Sequence, residues 1–409
     1  MTFWGVKINY HGQEYPAVKG QMATMIFPLL CVGSLLVFYT PIVDGYELPK
    51  FLYLGILATG GLVYILQRNE DVKLPAILPL SLFFLGSALS GINALNYYEF
   101  GLTMATDLMG ISLFWITVNL VKGESMDRVL WMMAGIGTIV ALAFLLLPGS
   151  QGTIGNSVLV GILLVPFVPI AGLLAPWGLA PASIILLAIW MSNSHAALLA
   201  IVALGCVLIW KHAPMFGKSL AMIPAIGLSL FILKVAPGAN LATQYRLDWW
   251  RNSAHMVADH PVFGVGRGNF VVVYPQYAIL GDQVMGGLDH VNRAGQRVDT
   301  AINSPHNDFL QIWTETGPLG IGGLLWFLWI VLIGRKWNET GRAGKALALS
   351  LVGILVTATF HFPLHAVAGG MVFWVICGLL WVASEKDIDT EPVTVPGSVP
   401  SCEPDAVSG

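Results

Sequence analysis

Residues 129–148 read VLWMMAGIGTIVALAFLLLP, and the lack of charge does not end there: from Val129 to Trp210 the chain holds no Asp, Glu, Lys or Arg. That stretch is several times the roughly 20 apolar residues one membrane-spanning helix needs. It is divided only by Pro148-Gly149-Ser150, Ala175-Pro176-Trp177-Gly178 and Ser192-Asn193-Ser194. Outward from it, the 409 residues are 56% hydrophobic and 11% charged, a composition that excludes an ordinary soluble domain. Apolar runs of spanning length lie at 22–43, 51–67, 75–95, 100–121, 129–148, 155–174, 177–192, 195–210, 217–236, 317–334, 344–362 and 366–384. The expected fold is an all-α polytopic membrane protein with about twelve transmembrane helices.

Charge bias orients the expected bundle. With the amino terminus cytoplasmic, the inside segments collect Arg68, Lys73, Lys122, Arg128, Lys211, Lys218, Arg335 and Lys336, whereas the short outside segments hold little beyond Lys50. Residues 1–21 are then a cytoplasmic segment, 22–236 carry the first nine spans and 317–384 the last three. Residues 385–409, rich in Pro, Val, Ser, Glu and Asp, read as a disordered cytoplasmic tail. Residues 237–316, between spans nine and ten, form one long periplasmic loop containing short helices. Cys31, Cys206, Cys377 and Cys402 all lie outside it, so neither a disulfide framework nor a thiolate metal site is expected. No basic cluster is dense enough to track nucleic-acid phosphates.

The loop's cations are Arg246, Arg251, Arg267, Arg293 and Arg297, without a lysine. Guanidinium groups stay charged and grip phosphate oxygens in pairs, which suits a diphosphate; the alternative is surface pairing with Asp248, Asp259, Asp282, Asp289 and Asp299. At the loop's end, Ser304-Pro305 reads as an N-cap and first helical position and Gly317-Pro318 as the stop. The helix between them, about three turns long, places His306 in its first turn, where free N–H groups and the dipole favour anions. Gly264-Val265-Gly266-Arg267-Gly268-Asn269 lacks the strand–helix unit and the Lys of a nucleotide loop, so it reads as a tight turn. Asp107 is the carboxylate most clearly inside an apolar run and needs a partner or a cavity; Lys234 is one candidate. Trp249, Trp250, Tyr274 and Tyr277 read either as sugar platforms or as interfacial anchors.

Four segments taken in order, Gly155-Asn156-Ser157, Ser192-Asn193-Ser194-His195, Tyr245-Arg246-Leu247-Asp248-Trp249-Trp250 with its continuation to Phe270, and the stretch from Ser304 to Gly320, resemble the bacterial O-antigen ligase and polymerase family. The resemblance runs from about residue 155 to 335. It implies a glycosyltransferase of the bacterial inner membrane, acting in lipopolysaccharide biosynthesis without nucleotide, metal or other cofactor. The implied donor is a glycan on undecaprenyl pyrophosphate, and the acceptor a hydroxyl of lipid A–core or of another lipid-linked glycan. By similarity Arg246 holds the pyrophosphate, and His306 acts at the acceptor as general base or by orienting the hydroxyl. Arg267, Arg251, His195, Asn307 and Asn156 complete the expected substrate contacts. The family's arginine in the turn before the eighth span is His195 here, which either takes over that role or caps the helix. A repeat-unit polymerase, a protein O-oligosaccharyltransferase and, from another class, a polysaccharide or lipid transporter are the rival readings; the uncharged middle third and the absence of a repeat weigh against transport.

Overall fold

The computed structural model describes residues 16–41, 46–68, 70–147, 152–174, 176–212, 239–277, 290–291, 297–298, 304–334 and 340–385. In order these form α1 (Pro16–Gly33), α2 (Glu47–Gln67), α3 (Ile77–Leu89), α4 (Tyr97–Leu120), α5 (Met126–Leu146), α6 (Ser157–Leu164), α7 (Phe167–Leu173), α8 (Leu179–Met191), α9 (His195–His212), α10 (Ala239–Asp259), α11 (Phe270–Val273), α12 (Asp308–Trp329), α13 (Arg342–Phe360) and α14 (Val367–Glu385). A pair of two-residue antiparallel strands, His290–Val291 and Arg297–Val298, joins the long loop to itself. Helix dominates because an apolar solvent offers backbone N–H and C=O groups no partner outside their own segment.

Six helical stretches among the described residues have the length and composition to cross a membrane: Glu47–Gln67, Tyr97–Leu120, Gly123–Leu146, Asp308–Gly334, Arg342–Phe360 and Val367–Glu385. Met25–Leu36, Ile77–Asn93, Leu179–Met191 and His195–Leu208 are shorter apolar helices. The protein is an integral membrane protein, with six helices long and apolar enough to cross a membrane among the described residues where the sequence suggests about twelve. Run 155–174 is split into α6 and α7 because Pro166 supplies no N–H to continue the ladder. Run 217–236, with Lys234, lies outside the described residues, as do the first 15 residues and the tail from 386.

Helix α14 is the hub, with 89% of its spanning window buried. It meets α4 where glycines admit bulk: a Cβ at Gly110 would stand 2.1 Å from Trp374 Nε1, and one at Gly378 2.7 Å from Thr117 Cβ. Helix α3 lies as closely on α12, since a Cβ at Gly86 would come 2.3 Å from the Gly320 nitrogen. Without a hydrophobic drive between helices in lipid, such small-residue contacts let dispersion hold the bundle.

The end of the bundle that carries the site is built by a break in α12. Gly317 adopts φ 66° and ψ −171°, and Pro318 follows it, so the helix bends between 308–316 and 318–329. The bend frees two carbonyls, and the glycine-rich loop takes them: Val265 N–H donates to Thr314 O at 2.9 Å and Gly266 N–H to Glu315 O at 3.1 Å. Gly264, Gly266 and Gly268 all have positive φ. Asn269 ties the same loop to the α3–α4 turn, accepting from Leu95 N–H at 3.0 Å and Asn96 N–H at 2.6 Å. The loop is thus a tight turn, as the sequence suggests, and the Gly317-Pro318 stop is a kink inside one longer helix.

Gly317→Ala should destabilise the protein by at least about 1–3 kcal/mol, the usual cost of a strained backbone position. Its Cβ would sit 2.2 Å from Val262 O, whereas Gly322, in the same helix, has open space. Thermal unfolding in detergent checks this, with Gly322→Ala expected to melt like the wild type.

Candidate active site

Helix α10 presents Arg246, Trp249, Trp250 and Ser253 at the i, i+3, i+4, i+7 spacing of one helical face. That face packs beside the 304–307 segment: Trp250 Nε1–H donates to Pro305 O at 2.9 Å. Above it, the Trp249 indole stacks on the His306 imidazole with centroids 5.0 Å apart and planes 29° from parallel. His361 and Phe362 close the other sides edge-on, at 4.9 and 5.2 Å between centroids. A ring held on three sides has one orientation.

The start of α12 differs from its sequence reading. Asn307, not Ser304, is the N-cap, with φ −154° and its Oδ1 accepting from Leu310 N–H at 3.0 Å. Ser304 instead closes a turn around the next residue but one, its Oγ accepting from His306 N–H at 3.0 Å. His306 therefore lies ahead of the helix, in the left-handed region at φ 53°. An Asn cap competes better than a Ser when the residue before it must turn sharply. The turn aims the imidazole: His306 Nδ1 is 3.2 Å from Ser304 O. A carbonyl only accepts, so Nδ1 carries the proton and Nε2 presents a lone pair.

Burial, followed by the positive charge of Arg246, pulls His306 down from 6.5 to about 4, against the opposing pull of the Ser304 carbonyl. The imidazole is therefore neutral near pH 7. Burial also lowers His361 well below the usual range, and His306 and Arg246 add to the effect. Two consequences follow for acid. The unfolded chain protonates His306 near 6.5 while the folded chain waits until about 4, so the stability this residue contributes is present above 6.5 and is lost as pH falls toward 4. An anion bound at Arg246 would cancel its charge and raise the proton affinity of His306. The acid limb of kcat should then lie at higher pH than that of kcat/KM, which reports the free protein; parallel pH profiles of the two constants measure the separation.

Arg246 is half-buried, and among the described residues it pairs with no carboxylate. Burial weakens its hold on its proton. A guanidinium in that position calls for an anion. His195, partly buried at the start of α9, also feels the Arg246 charge. It does not cap its helix, because Ser194 Oγ accepts from Ala197 N–H at 3.4 Å. Arg246, His195, His306 and His361 thus converge at one place.

The other expected site residues are placed differently. Arg251 is exposed. Asn156 is the exposed N-cap of α6, accepting from Val158 N–H and Leu159 N–H, and Asn307, partly buried, is the N-cap of α12. Arg267, expected to touch substrate, is 4% exposed and spends its fork on protein carboxylates. Its Nε and Nη2 donate to the two oxygens of Asp107 at 2.8 and 2.9 Å, and Nη1 donates to Glu315 Oε2 at 2.5 Å. Burial alone would loosen its proton, but Asp107 and then Glu315 more than offset this and raise its pKa. Asp107 thus has the partner its apolar surroundings demand. Tyr274 is a core residue, its hydroxyl accepting from Asn252 at 3.0 Å. Arg293 and the Arg297 side chain lie outside the described residues.

The 361–366 turn between α13 and α14 carries residues the sequence reading left unassigned. His365 Nδ1 is hydrogen-bonded to Asp308, and its Nε2 stands 2.8 Å from Arg267 Nη1. Burial disfavours a charged His365, and the Asp308 carboxylate reverses that, raising its proton affinity. A second proton would nevertheless point Nε2–H at the Arg267 N–H. The spacing is that of a donor facing a lone pair, so the ring's proton lies on Nδ1 in this arrangement. Two histidines in a short turn between spans were a visible signal; their reach to Asp308 and Arg267 was not. Among the described residues, no group of three or more His, Cys, Asp or Glu side chains is arranged to hold a metal ion.

Two larger clefts, of about 590 and 400 Å³, open at the far end of α4, lined by Glu124, Asp127 and Arg342 and by Arg68, Glu70 and Lys122. They are a helix length from His306 and share none of its chemistry. No curated protein matches the chain. Residues 180–327, the stretch that positions His195, Arg246, Arg267 and His306 in this integral membrane protein, match the family model described as O-antigen ligase.

Proposed function

We propose that the protein moves a glycan from undecaprenyl pyrophosphate to an acceptor hydroxyl on the periplasmic side of the inner membrane, as a ligase acting on lipid A–core. The observation that carries this is a neutral His306, its Nδ1 held by Ser304 O, under the field of a half-buried Arg246 that has no carboxylate partner among the described residues. The family match supports an O-antigen ligase- or polymerase-like transferase with lipid-linked glycan substrates.

In the proposed step the acceptor oxygen attacks the anomeric carbon of the donor glycan. Its proton passes to His306 Nε2, the new C–O bond forms, and the bond from the anomeric carbon to the diphosphate oxygen breaks. The departing undecaprenyl diphosphate carries the added negative charge, and Arg246 stabilises it in place of solvent. The proton on His306 then leaves to the diphosphate or to water, which restores the neutral ring.

Deletion in the native host followed by lipopolysaccharide gel analysis tests the reading. Core without polymer, and polymer retained on the carrier, is expected. A core bearing a single repeat would instead make the protein a repeat-unit polymerase, and unchanged lipopolysaccharide would overturn both.

A further inference from the structure

A cavity of about 260 Å³ lies beside His306, where the first turns of α2, α6 and α12 meet the 361–366 turn. It shares two walls with the imidazole: Ser304, which holds His306 by both its hydroxyl and its carbonyl, and Phe362, whose ring packs edge-on against it. Far more than the roughly 30 Å³ share of one water is available.

The polar wall has a defined demand. Gln311 lines the cavity and is 5% exposed. Its Nε2 donates to Glu315 Oε1 at 3.0 Å, which fixes the amide's orientation because a carboxylate oxygen cannot donate. Its Oε1 is left without a hydrogen-bond partner among the described residues. A buried acceptor without a donor is unfavourable, so a donor entering the cavity would complete it. Glu47 adds a carboxylate, Oε2 of which accepts from Val367 N–H at 2.9 Å. His365 also lines the cavity, with its two ring nitrogens already engaged by Asp308 and Arg267, and Leu159, Phe362 and Ala366 supply an apolar wall. Among the described residues neither lysine nor arginine lines it, so the diphosphate is assigned to the Arg246 side.

We propose that the cavity is the subsite for the terminal sugar of the acceptor glycan, and this rests on the transferase reading above. A pyranose matches both walls, with hydroxyl donors for Gln311 Oε1 and Glu47 and an apolar ring face for Phe362 and Leu159. Its neighbouring hydroxyl then reaches the lone pair of His306, while the donor's diphosphate stays with Arg246 on the α10 side. The neutral acceptor and the anionic donor are thereby sorted into separate places.

The test uses the purified full-length protein in proteoliposomes, with an undecaprenyl-diphosphate-linked glycan and whichever acceptor, lipid A–core or lipid-linked repeat, the wild type elongates. Leu159→Trp fills the cavity and should raise the acceptor KM about tenfold or more, with the donor KM changed less than about twofold. Gln311→Leu removes the waiting acceptor atom and should raise the acceptor KM by about threefold to tenfold. Because Gln311 also supports Glu315, both variants are checked by thermal unfolding, and Ala366→Leu serves as a second filled cavity. An unchanged acceptor KM in Leu159→Trp and Ala366→Leu, or a rise confined to the donor KM, overturns the assignment. If the wild type elongates neither acceptor, the transferase reading itself fails, a distinct result that removes the subsite with it.

Discussion

Arg267→Met is expected to destabilise the protein by roughly 3–5 kcal/mol, the usual result of removing one partner from a buried charge network. Arg267 satisfies both oxygens of Asp107 and one of Glu315, and both carboxylates are buried. Methionine fills the volume but leaves two carboxylates facing each other with no cation between them. Arg267→Lys should fall between the variant and the wild type, because a single ammonium cannot grip Asp107 in two places and still reach Glu315. The same guanidinium joins α4, the glycine-rich loop and α12, so the 304–307 segment depends on it through Glu315 and, by way of His365, Asp308. Chemical denaturation in detergent, followed by intrinsic tryptophan fluorescence, measures the loss. Wild-type stability in Arg267→Met would mean that the network contributes little.

His306→Asn and Arg246→Ala are expected to abolish most transfer by different routes. Losing a positioned general base costs about 10²–10⁴ in rate, and losing an electrostatic stabiliser of the leaving group costs about 10²–10³. Asn is the cleaner replacement at 306 because it tolerates the left-handed backbone found there, so the folded state is kept. His306→Asn should lower kcat with the donor KM nearly unchanged. Arg246→Ala should lower kcat and also raise the donor KM, since in the proposed reaction its charge attracts the diphosphate before and during transfer. Initial rates over a matrix of donor and acceptor concentrations separate the two patterns.

The membrane class and many of the helices were legible because charge is excluded from spans and concentrated between them; run 155–174 is broken at Pro166. The Gly317-Pro318 break was legible for the same local reason, a residue that cannot supply an N–H following one that can take positive φ. The start of α12 was misread, because Ser304-Pro305 and Asn307 are both plausible caps and only the His306 turn decides between them. Arg246 and His306 stand out by residue type and resemblance, and the structure brings them together, but Arg267 could not be told from a substrate arginine. Its role depends on Asp107, 160 positions away, and no local pattern records that pairing. His361 and His365 escaped notice for the same reason, since both act through tertiary neighbours.

The most direct measurement of the central claim is single-turnover transfer by purified His306→Asn beside the wild type, with donor binding measured on the same samples. Donor bound with wild-type affinity and elongated acceptor formed at least about a hundredfold more slowly is the predicted result. Product formed at the wild-type rate would show that the imidazole aimed by Ser304 takes no part in the chemistry.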